Sequence, residues 1–128
     1  MVTIQISIGE LIDKLSILQI KLYKVTNEDK LSFISHEFML LHEVSRSYLA
    51  QQDIADLYKQ LVEVNSKLWD VEDKLRVIET EKRFEGEFID LARQVYYLND
   101  ERFEVKNQIN NLTSSEIKEV KEYVNYKK

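Results

Sequence analysis

DIADLYKQLVEVNSKLWDVEDKLRVIET, residues 53–80, sets Ile54, Leu57, Leu61, Val64, Leu68, Val71, Leu75 and Ile78 in unbroken alternating three- and four-residue steps. Such steps gather apolar side chains into one stripe of an α-helix, whereas a strand would alternate every second residue. Asp53, just before the first apolar residue, is a natural N-cap. TEKRFEG, residues 80–86, makes a short polar connection. The same spacing then resumes at Phe88, Leu91, Val95, Leu98, Arg102, Val105, Ile109 and Leu112, with Arg102 as the charged exception. A short connection forces two helices to run antiparallel, so the register follows from the phases. It pairs Ile54 with Leu112, Leu61 with Val105, Val64 with Arg102, Val71 with Val95 and Ile78 with Phe88.

The first half of the chain repeats this plan. Ser7 and Glu10 form a capping box, and Ile8, Leu11, Leu15, Leu18, Leu22 and Val25 form the seam behind it. After a turn over residues 26–30, the seam continues through Leu31, Ile34, Phe38, Leu41, Ser45 and Tyr48. A fifth, shorter helix is expected from the capping box Thr113 to Glu116, with Ile117, Val120 and Val124 on its apolar side. Residues 2–6 alternate apolar and polar but are too few to build a sheet, and read as an extended arm. The expected fold class is all-α: two antiparallel helical hairpins packed as a bundle, plus the short C-terminal helix and the N-terminal arm, in one domain over residues 1–128.

Composition agrees. The 128 residues include no Pro and only two Gly, the residues that interrupt helices, and 32% are charged. The net charge of -5 and the lack of a basic stripe argue against nucleic acid as a partner. With no Cys there is no disulfide framework and no thiolate chemistry. No apolar run approaches the roughly 20 residues that span a bilayer, so no membrane is expected and a cytoplasmic location is.

Catalytic signatures are scarce. His36 and His42 are six apart, a spacing that does not stack them on one helical face, and both read as surface residues. Glu10 with Asp13, Asp70 with Glu72 and Asp73, Glu87 with Asp90, and Asp100 with Glu101 are acidic clusters of the kind that holds Mg²⁺ in all-α nucleotide phosphohydrolases. In a chain this rich in charge, solvated helix faces account for them more simply. No other cofactor is implied.

One polar grouping is harder to place in water. Tyr58, Asn65 and Glu72 fall on the flank of the third helix that meets Asn99 and Lys106 on the fourth, with Arg102 in the seam between. The same flank carries Trp69 and Tyr96 among other apolar residues, so the first hairpin should cover it. Buried polar groups of this kind either satisfy one another and fix register, or form a small pocket for an anion, with Arg102 and Lys106 as cations and Trp69 or Tyr96 as a wall. Arg102 cannot shed its proton and must find acceptors: Asn65, Asn99 or Glu72 nearby, or Glu10 or Asp13 from the covering hairpin. If it only staples the bundle, leucine should be tolerated there, since the other positions of that seam are apolar.

SIGELIDKLSILQIK, LWDVEDKLR and FIDLARQVYYLNDERFEVKNQIN, in that order, resemble a family of small bacterial and phage proteins classed as a domain of unknown function. The resemblance implies no activity, cofactor or partner; some of that family's genes lie near surface-polysaccharide genes, which is context and not chemistry. From the residues themselves, the expectation is a non-enzymatic helical interaction or scaffold protein that forms a homo-oligomer and engages a protein partner. The rival expectation is a metal-dependent nucleotide phosphohydrolase using helix-borne carboxylates.

Overall fold

A computed structural model describes residues 1–127. Four helices follow in order: α1 (Ile8–Lys24), α2 (Glu28–Leu49), α3 (Gln52–Glu81) and α4 (Gly86–Leu112). They form the two antiparallel hairpins that the seams predict. Ser7 caps α1 by accepting from the Glu10 backbone N–H at 3.0 Å. The turn after α1 is shorter than expected, because Asn27 accepts from the Lys30 N–H at 3.0 Å and starts α2 at Glu28. Asp53 is not the cap of α3; Gln51 holds that position without a side-chain bond, and Asp53 lies in the first turn.

The long hairpin α3–α4 carries the expected seam. Ile54, Leu57, Leu61, Val64, Val105 and Ile109 are buried in one cluster, and Ile12 of α1 completes it. Leu112 departs from the register: it is 53% exposed, and Ile8, Tyr48 and Leu49 of the first hairpin pack against the cluster at that end. Lys24, the last residue of α1, pairs with Asp70 at 3.2 Å. Beyond that point α3 and α4 continue alone as an arm of about 16 Å, at 1.5 Å per residue. Val71, Ile78 and Leu91 form its own small core with Leu75, Phe88 and Val95.

α1 is the innermost helix. It touches α2, α3 and α4, whereas α2 touches α1 and α3 but not α4. Its buried residues therefore include Ile12 and Ile20, which lie outside its seam, and the polar Asp13 and Ser16. In α2, by contrast, Ser45 is the only buried residue.

The fifth helix does not form. After Leu112 the chain turns at Ser114, in the left-handed region at φ 53°, and residues 115–127 return along α4 as an irregular strap. The Thr113 hydroxyl, expected to cap a new helix, donates backward to the Ile109 carbonyl at 2.7 Å and so finishes α4 instead. Without a cap or a covered apolar face, a helix this short has no source of stability.

Candidate functional site

Asp13 stands at the centre of the site. Residues 10 and 13 share a face of α1, and that face lies against α4. On α4, Arg102, Lys106 and Asn110 recur every fourth residue and so form one stripe. Because α1 and α4 run antiparallel, the two rows meet as a ladder. Asn110 accepts from the Gly9 N–H at 2.7 Å. Lys106 pairs with Glu10 at 2.8 Å. Arg102 donates through both Nε and Nη2 to the Asp13 carboxylate, at 2.9 and 2.6 Å. From α3, the Asn65 amide donates to Asp13 at 2.9 Å and to the Ser16 hydroxyl at 2.8 Å.

Burial is uneven across the central pair. The Asp13 side chain is 1% exposed and that of Arg102 28%. Among the described residues every buried side-chain polar atom has a hydrogen-bond partner, which is what makes such a network tolerable in a low-dielectric interior. The bonds from Asp13, opposed by burial, push the Arg102 guanidinium still further above its ordinary pKa. For Lys106 burial is the largest influence and pulls its pKa down, but the bonds to Glu10 and Glu119, together with Asp13, outweigh it and leave it raised. Glu119 comes from the strap and meets Lys106 at 2.8 Å.

Of the residues singled out in the sequence, Asn65, Arg102 and Lys106 meet at this network. Asn99 and Arg102 line two grooves on either side of α4. One, of about 530 Å³, lies under the strap and includes Tyr96 and Lys106. The other, of about 540 Å³, includes Asn65, Trp69 and Glu72. Tyr58 joins neither; its hydroxyl donates to Gln19 of α1. Asp13, Ser16, Asn110 and Glu119 were not singled out as site members. The four-residue spacing of Arg102, Lys106 and Asn110 carried a signal for the α4 row. The Glu10–Asp13 pair is not a solvated face, since Asp13 is buried and Glu10 holds Lys106. Around the two cations stand three carboxylates from the chain itself, Glu10, Asp13 and Glu119, so an arriving anion would have to displace one of them.

The sequence matches the family of unknown function DUF6165 over residues 2–126. The chain belongs to DUF6165. No curated protein and no solved structure matches it. The DUF6165 span takes in α1, the α4 ladder and nearly all of the strap. Among the described residues no helix is long and apolar enough to cross a membrane. Nor do three or more His, Asp or Glu side chains come together there as a group able to hold a metal ion.

Two groups near α1 make stability sensitive to alkali. Burial pushes the Tyr58 hydroxyl from 10.0 up to about 12, and Lys106 is raised as well. Each binds its proton more tightly folded than unfolded, so its contribution is complete below pH ~10 and is lost as pH rises through the folded value. Urea-unfolding midpoints should therefore hold steady to about pH 10 and fall toward pH 12, and Tyr58→Phe should remove part of that fall. A midpoint unchanged at pH 11.5 would contradict the assignment.

Proposed function

We propose that this chain is a non-enzymatic helical interaction protein of the cytoplasm that works as a homodimer, with the outer face of α2 as its self-association surface and a further protein as its client. The observation that carries this reading is the apolar outer face of α2. Phe33, Leu40 and Val44 follow one another along a single stripe and are 80%, 45% and 61% exposed. Scattered exposed apolar residues are ordinary, but three large ones aligned on a helix that its own fold covers on one side only, with Glu37 as the charged member of the row, are what an interface helix carries. The internal pairing of Arg102 and Lys106 points the same way, since a scaffold needs a satisfied interior and an anion site needs a cation to spare.

The phosphohydrolase reading draws less support, because its Glu10–Asp13 pair is engaged by Lys106, Arg102 and Asn65. It predicts a rise in melting temperature with Mg²⁺ plus nucleotide, through binding to the folded state. The interaction reading predicts no such rise. It predicts instead that light scattering at micromolar concentration returns twice the chain mass. Leu40→Lys should give the monomer mass with little change in far-ultraviolet helicity. A wild-type monomer would overturn the homodimer.

A further inference from the structure

The strap is the one segment whose sequence asks for a conformation that the chain does not give it. Residues 113–127, TSSEIKEVKEYVNYK, contain no Gly or Pro, and Ile117, Val120 and Val124 fall on one face of a helix. Yet the segment is irregular, and it wastes that face: Val120 and Val124 are each 85% exposed. Its hold on α4 is made by other side chains. Glu119 meets Lys106 at 2.8 Å, Lys121 meets Asp100 at 3.2 Å, and the Tyr126 ring packs on Tyr96 and Tyr97. Conflict between local pattern and tertiary placement is what a segment shows when it folds against something else.

We propose that residues 113–127 of one copy fold as an amphipathic helix on the outer face of α2 of a second copy. This rests on the homodimer reading and names the segment that the α2 face receives. The dimensions match. Ile117 to Val124 covers about 10 Å of helix, within the 16 Å or so from Phe33 to Val44. The charges complement one another in sum: with residues 113–127 as a helix, Lys121 and Lys127 border the apolar face against Glu116, while Asp29, Glu37 and Glu43 border the α2 stripe against Lys30. A second copy, rather than the same one, is the occupant because the strap leaves from the end of α4. That helix lies diagonally across the bundle from α2 and makes no contact with it, with α1 and α3 between them. Exchange of two straps repeats the same contact around a two-fold axis and closes the assembly as a dimer.

Val120→Pro in the full chain tests the helix itself. The Val120 N–H makes no hydrogen bond among the described residues, so proline there removes no backbone hydrogen bond from the strap as it lies on α4, whereas it would remove one from a helix interior. The expected result is a dimer weakened roughly ten-thousandfold, about a hundredfold for each of the two exchanged straps, with the melting of the monomer unchanged. Val124→Asp, at a side chain that this fold leaves exposed, should weaken it similarly without altering the backbone. Sedimentation velocity over a concentration series reads both. Dimers of wild-type strength in both variants would overturn the strap assignment while leaving self-association through α2 standing. A wild-type monomer would overturn the homodimer reading, and this inference with it.

Discussion

Arg102→Leu should destabilise the protein by about 3 kcal/mol, the lower end of the range for removing one partner of a buried ion pair. On the reading in which Arg102 only staples the bundle, the sequence alone suggested that leucine would be tolerated, since it would complete an apolar seam. What reverses the expectation is the partner. The Asp13 side chain is 1% exposed, and without Arg102 its charge keeps only the Asn65 amide at 2.9 Å and Lys106 at 4.0 Å. Those remaining contacts set the effect at the lower end. Removing the other partner should cost less: Asp13→Asn leaves a guanidinium that is already 28% exposed and can turn into the adjoining grooves. About 1–2 kcal/mol is expected there. The double variant Asp13→Asn/Arg102→Leu should recover part of the loss, because it removes both charges of the buried pair and leaves neither one stranded. Urea denaturation of the four species closes the cycle. Equal losses in both single variants, or no coupling between them, would show that the pair does not act as the structure implies.

The second large effect is expected at Gly9, where α1 comes closest to α4. A Cβ there would lie 2.8 Å from the Asn110 side-chain oxygen and closer still to the Lys106 backbone carbonyl. A carbonyl inside a helix cannot swing aside, so Gly9→Ala must push the start of α1 outward. The displacement strains the Gly9–Asn110 bond and the Glu10–Lys106 pair together. Overpacking of this kind costs about 1–3 kcal/mol, and with the bond weakened the net loss should be about 2–3 kcal/mol. The helix propensity of alanine offsets at most ~1 kcal/mol of it. Gly86 is the internal control: nothing lies within 4 Å of a Cβ placed there, so Gly86→Ala should be neutral or slightly stabilising. If thermal melting ranked the two variants alike, the close approach of α1 to α4 would be refuted.

How much of this could be read beforehand differs from residue to residue. The hairpin register was legible because a three-four repeat reports which face of a helix is apolar, and two antiparallel seams of known phase have few ways to pair. That is why Leu61, Val64 and Val105 are found in one cluster, as the register requires. The covered polar flank was legible for a related reason. Asn65 and Lys106 sit beside an apolar surface too wide to be left in water, and both are buried. Leu112 was misjudged because the seam spacing runs on into the last turn of α4, while at that end Ile8, Tyr48 and Leu49 of the first hairpin are what pack on the cluster.

Asp13 shows where the periodicity stops informing. An acid three residues after another acid on an amphipathic helix looks like solvent-facing charge, and in a two-helix hairpin it would be. It is buried because α1 is enclosed by three helices, and only the packing of one hairpin on the other determines that. The strap shows the same limit from the other direction. Its capping box and apolar spacing are local signals for a helix, but the Thr113 hydroxyl is taken by the Ile109 carbonyl and no surface of its own chain covers Val120 and Val124. By itself, then, the sequence determined the four seams, their pairing and the need to cover the α3–α4 flank, because these depend on spacing along one helix. Which carboxylate neutralises Arg102, and whether residues 113–127 are helical, were decided by the tertiary structure. Burial of a charge and stability of a short helix both depend on what lies against them, and that is set by contacts between residues as far apart as Asp13 and Arg102.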